Sequence, residues 1–249
     1  MLRTVQATRY VAPLREGGSM PALVEADDDG LYVVKLRGAG QGSRTLVAEV
    51  LAGELARALG LRVPELVLVD VDVELARAEP DPEIQELVQA SGGLNAGLDF
   101  LPGALPYAPA AGRPPAPDVA AAVVWLDALV ENVDRTPRNP NLLVWHGELW
   151  LIDHGAALFR QHGGLEHADP RAPFPLVADH VLLDCAGPIG EADERLAPLV
   201  HRPLLERVVA AIPADWFAGT APAAYVDHLL ARAEAPRAFA EEAERARRR

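Results

Sequence analysis

The chain has 249 residues, half of them hydrophobic and 24% charged, with a formal net charge of −13. That content can bury a sizeable core and excludes a disordered polymer, and the acidic balance excludes a general nucleic-acid binder, which needs a basic face for phosphate contacts. A single cysteine, Cys185, excludes an intrachain disulfide; with no long apolar run at MLRTVQATRY and no membrane-length apolar stretch, a cytoplasmic protein without a membrane span is expected.

In chain order, residues 1–72 read as β-rich with one helix. Residues 17–21 form a turn, and 22–25 and 31–36 are predicted strands of a hairpin around the tight turn 27–30. Lys35 lies near the end of the second strand. Of 23 basic residues it is the one lysine, the others being arginine. An ammonium is a compact point charge, whereas a guanidinium is a wide planar fork. A site that seats one small cation between phosphate oxygens has reason to keep the lysine, so Lys35 is a candidate functional residue. The glycine-rich stretch 38–42 follows; its glycines suit a strand-to-helix turn or phosphate contact equally, and the Gly-Lys-Ser/Thr of a Walker A loop is absent. Ser43 is placed to cap a helix over 44–59, closed by Gly60.

A strand is predicted over 63–71, a short helix over 82–89 and a strand over 98–101. Residues 102–117 contain six prolines and read as a linker. Asp118 is placed to cap a buried, strongly apolar helix over 119–131. A polar loop with two prolines, 132–141, leads to two apolar runs, 142–145 and 149–152, joined by His146-Gly147-Glu148 as a β-hairpin. An irregular stretch to about residue 175 precedes further helices and a solvated tail at 244–249.

The hairpin carries the chemistry. Its strands are antiparallel, so Asn139 and Asn141, just before the first, come beside Asp153, just after the second. A carboxylate and side-chain amides are hard oxygen donors of the kind that suit Mg²⁺. Asp134, on the same loop, can face that point as a base or orienting carboxylate for a hydroxyl. With Lys35 opposite, the layout is that of phosphoryl transfer, which is mostly positioning and charge neutralisation. Backbone N–H groups at Gly17, Gly18 and Ser19 could cover a phosphate. The linker supplies a cleft for the nucleotide, with Phe100 and Leu101 at its mouth as candidate contacts. The histidines show no zinc-binding spacing, and no Gly-x-Ser-x-Gly elbow occurs. Trp125, Trp145 and Trp150 are expected in the core.

Asp134-Arg135-Thr136-Pro137-Arg138-Asn139, then an apolar strand and Leu151-Ile152-Asp153-His154-Gly155, resembles the HipA-like kinases, as does the helix from Glu49 to Gly60. The HRD and DFG triplets of ordinary protein kinases are replaced by Asn132-Val133-Asp134 and Asp153-His154-Gly155, and Thr136 stands where many relatives carry His. The resemblance implies an α+β, two-lobed protein-kinase-like fold, with a β-rich lobe over 1–101, the linker at 102–117 and a helical lobe over 118–249. It implies ATP and Mg²⁺, with Lys35 on the phosphates, Asp134 as catalytic base, and Asn139 and Asp153 as metal ligands. The acceptor would be a hydroxyl, a Ser/Thr of a protein before a small molecule or lipid; the alternative is a nucleotide-binding regulatory pseudokinase. Lys35 should pair with a glutamate of the following helix. The resemblance favours Glu49, whereas the apolar stripe of Val47, Val50, Leu51, Leu55 and Ala58 places Glu54 on the core side.

Overall fold

The computed structural model describes residues 1–14, 21–39, 42–78, 80–110 and 113–249. Gly17, Gly18, Ser19 and Gly40 lie outside the described residues.

Five strands close into a small barrel: β1 (Arg3–Pro13), β2 (Ala22–Ala26), β3 (Leu31–Lys35), β4 (Leu66–Val71) and β5 (Gly93–Asp99), in the order β1-β2-β3-β5-β4. The β1–β4 pair is parallel and the others antiparallel. Successive residues of a strand point to opposite faces. Val24, Tyr32, Val34, Val67 and Val69 therefore fill the interior, while Leu66, Leu68, Ala96 and Leu98 face outward and pack with α1 (Ser43–Ala58). Lys35 follows the inward Val34, so it emerges on the outer face, opposite Ala96 in register. β5 starts five residues earlier than 98–101 would suggest. Its Gly97 reads as a strand breaker, but a Cβ there would lie 2.6 Å from Val69 Cγ2. The barrel interior has no room for a side chain at that point.

α1 is buried on nearly every side, from Leu46 to Ala56, between the barrel and the α5 region (Arg202–Val209). Ser43 is its first residue and not its cap; Gly42 holds that position without a side-chain bond. Gly60, at φ 83°, ends it as expected, and the Leu61 N–H bonds the Ala56 carbonyl at 3.0 Å. α2 (Pro82–Ala90) covers one side of the barrel; its Ala90 and the following Ser91 press on Gly38, where a Cβ would lie 2.8 Å from Ala90 Cβ.

The proline-rich stretch is not all linker. Its β6 (Leu105–Pro106) pairs with β7 (Leu142–Trp145), which pairs with β8 (Glu148–Leu151), and Tyr107 is buried. The hairpin turn is two residues long, His146 and Gly147, both with positive φ, and Glu148 belongs to the strand. Trp145 and Trp150, expected in the core, are half-buried and stack edge-to-face at 5.3 Å on the hairpin surface. Trp125 is fully buried.

α3 (Pro117–Leu129) is capped at Ala116, with Asp118 in its first turn rather than at the cap. It runs through the centre of the largest core cluster, which extends from α1 to α7 (Ala238–Arg247). α4 (Ile189–Leu196), α5 and α6 (Pro222–Ala233) complete the set. Residues 244–247 belong to α7 and are no solvated tail: Glu244 Oε2 accepts the Ile189 N–H at 2.7 Å, satisfying an end of α4 whose own cap position is Pro188. Among the described residues, no helix is long and apolar enough to cross a membrane.

Candidate active site

Lys35 leaves the barrel beneath α1, and two carboxylates meet it. Its Nζ donates to Glu49 Oε2 at 2.7 Å and to Asp153 Oδ1. Glu49 is fully buried and Lys35 nearly so. Burial opposes the Lys35 charge, yet Glu49 and Asp153 outweigh it and hold the ammonium pKa above the ordinary lysine value. Burial pushes the Glu49 carboxyl up against the pull of Lys35. Burial also acts to raise Asp153, which is less enclosed, but Lys35 wins and its carboxyl lies below the usual range. Glu54, the other glutamate considered, is 3.1 Å from Arg57 and partly exposed. The stripe argument misplaces it because α1 is covered on nearly all sides, so an apolar stripe does not mark one core face.

The polar loop 132–141 forms a second group. Asp134 Oδ2 accepts from Asn139 Nδ2 at 2.7 Å and from Asn141 Nδ2 at 3.3 Å. Asn139 is exposed, and among the described residues no hydrogen bond joins it to Asp153. The two groups meet through backbone: the Ile152 N–H donates to the Asn141 carbonyl at 3.1 Å, one residue before Asp153. Phe100 and Leu101 follow β5 and lead toward β6; the Phe100 N–H bonds the Leu31 carbonyl at 2.8 Å.

Sequence reasoning passed over Asp127, met Arg135 and His154 only within motifs, and considered His154 and His180 otherwise only among histidines without a zinc-binding spacing. Arg135 is fully buried, with Nε on Asp127 Oδ2 and Nη1 on the Asn141 carbonyl. His180 Nδ1 accepts the Leu182 N–H at 3.1 Å, so its Nε2 carries the hydrogen directed to Asp127 Oδ2 at 2.9 Å. Burial would raise Asp127, but Arg135 and His180 hold it well below the ordinary carboxylate range. A carboxylate at position 127, in the apolar run that follows Asp118, was the available signal, since a buried charge needs partners.

Asp153 meets Lys35 through Oδ1, and about a third of its side chain is exposed (33%), which leaves its second oxygen open to a cation. Mg²⁺ binds through one or two protein carboxylates, with phosphates and waters completing its shell. The donor set fits such an ion bound together with a nucleotide. Among the described residues, no group of three or more His, Cys, Asp or Glu side chains gathers to hold a metal.

A family model described as HipA-like kinase matches residues 8–235. No curated protein matches the chain. The Helicobacter pylori proinflammatory kinase CtkA shares its fold at a TM-score of 0.56 and 13% identity, over 98% of this chain and 97% of that one. The Golgi casein kinase matches at 0.53 and 13% identity, over 98% of this chain and 72% of that one. Its form with Mn/ADP bound matches at 0.54 and 13% identity, over 98% and 73%. The fold is thus a kinase-like α+β fold. With a match over most of its length, the chain belongs to the HipA-like kinase family, a family of phosphotransferases.

Proposed function

We propose that the protein transfers the γ-phosphoryl group of ATP, with Mg²⁺, to a hydroxyl, namely a Ser or Thr side chain of a protein in the cytoplasm. The carrying observation is the buried Lys35 ammonium held by both Glu49 and Asp153. In this reading 1–101 forms one lobe and 118–249 the other, and the nucleotide lies between them with Phe100 and Leu101 at its edge. Lys35 neutralises phosphate charge, and Glu49 keeps it in place. Asp153 with Asn139 holds Mg²⁺, which when bound offsets charge on the transferring phosphoryl group. Asp134, fixed by two amide N–H bonds to one oxygen, orients the acceptor hydroxyl and takes its proton. The nucleotide and divalent metal in the Golgi casein kinase structure support this reading.

Mg-ATP titration by calorimetry, paired with phosphosite mass spectrometry, tests it. The parent is expected to bind Mg-ATP and phosphorylate a protein hydroxyl. Lys35→Arg should lower kcat/KM for ATP by at least about 100-fold, because the fork does not fit where the ammonium sits. Asp153→Asn should abolish the magnesium dependence of nucleotide binding. Tight binding without transfer to protein, lipid headgroup or small alcohol would make the protein a regulatory nucleotide-binding module. An active Lys35→Arg variant would remove the basis of the assignment.

A further inference from the structure

One buried guanidinium bridges the loop that carries Asp134 and the turn that carries Asp153. Arg135 Nε is held by Asp127 of α3, itself fixed by His180. Nη1 reaches the carbonyl of Asn141, at the end of the loop that carries Asp134, and lies 3.4 Å from the carbonyl of Ile152, beside Asp153. Nη2 lies 3.4 Å from His154 Nδ1, on the other side of Asp153. His154 is fully buried, and its Nδ1 is the acceptor in that contact because a guanidinium only donates. Asp127 also accepts from Asn132 Nδ2 at 3.0 Å, and Asn132 Oδ1 accepts the Asp134 N–H at 3.1 Å. The start and end of the loop are thus tied to one carboxylate and one guanidinium.

We infer that Arg135 is a positioning residue: its fork, anchored by Asp127 and His180, sets the loop bearing Asp134 against the turn bearing Asp153. The inference rests on the phosphotransfer reading for its purpose, but the mechanical link consists of protein contacts alone. A lysine at 135 would keep the charge and lose the fork. One ammonium on a straight stem cannot serve Asp127, two carbonyls and an imidazole that lie in different directions. No part of the link needs the guanidinium to touch substrate.

Amide hydrogen exchange on the ligand-free protein tests the link directly. Its reporters are the N–H groups of Thr136, Asn139 and Ile152, all hydrogen-bonded within the two segments. In Arg135→Met, exchange at these amides should rise together by at least about tenfold, while amides of β3 and the middle of α1 keep the parent rates. Arg135→Lys should show the same paired increase, and it carries the test if Arg135→Met does not fold. If the parent is active, Arg135→Lys should lower kcat/KM for ATP by at least about 30-fold, because Asp153, which bonds Lys35, and the loop bearing Asp134 both lose their setting. Parent-like exchange in Arg135→Lys, a rise in one segment alone, or a rise spread evenly over the fold would overturn the inference. A parent that transfers no phosphate would overturn the phosphotransfer reading and leave the exchange result to decide the positioning role.

Discussion

His154 lies in a region already holding the Arg135 and Lys35 cations, and it is fully buried. Burial first, then Arg135, push its imidazole down to about 3 from an ordinary value of 6.5. The folded protein therefore keeps this ring neutral where an unfolded chain would protonate it. That preference stabilises the fold fully above pH 6.5 and is lost as pH falls toward 3. Between pH 7 and 5 the loss amounts to about 2 kcal/mol from this residue. Asp127 and Asp153 have depressed carboxyls, so their contributions hold through that window and fail only below about pH 4. In urea unfolding at pH 7, 6 and 5, His154→Asn should show a shallower pH dependence than the parent; an unchanged slope would assign the proton uptake elsewhere. Lys35 stood out in the sequence because its background is uniformly arginine. The role of Arg135 did not stand out, because its partners lie at 127, 141, 152 and 154 and only the packed loop collects them.

At the scale of elements, the turn after β8 is pressed against α1. A Cβ on Gly155 would lie 2.5 Å from Thr45 Cγ2, 3.5 Å from Lys35 Nζ and 3.6 Å from Glu49 Oε2. Only the first is a clash that must be relieved by movement. Gly155→Ala should therefore lower phosphotransfer at least about tenfold by displacing the turn. Thr45→Ser removes the obstructing methyl, so Thr45→Ser in the Gly155→Ala background should recover most of the rate. Steady-state kinetics on the two single variants and the double variant check this, and strict additivity would count against the contact. The hairpin that precedes this turn was legible because two apolar runs flank a glycine. Element ends were less so: Ser43 and Asp118 are good capping types, yet each sits one or two positions inside its helix. Gly97 hid most of β5, because the need for close packing in a narrow barrel has no local mark. The Glu49 and Glu54 ambiguity has the same origin, since a stripe identifies a core face only when the opposite face meets water.

Across the whole molecule, the largest core cluster joins α1 in the first half of the chain to α3, α5 and α7 in the second. The barrel interior is a separate cluster, but β4 contributes to both, with Val67 and Val69 inside and Leu66 and Leu68 in the larger cluster. The two parts should therefore lose structure together. Tryptophan fluorescence, which reports on positions 125, 145, 150 and 216, and far-UV circular dichroism should give coincident urea transitions. Separated midpoints would show that α1 does not couple them. A practical consequence follows from the residue at the end of β3. A protease that cuts only after lysine has a single target bond in this chain, between positions 35 and 36, and it lies where β3 is laced to β5. Appearance of the fragments 1–35 and 36–249 counts the molecules that have opened. Any compound that binds the closed form slows that cut in proportion to its occupancy, so ligands can be ranked before an acceptor is known.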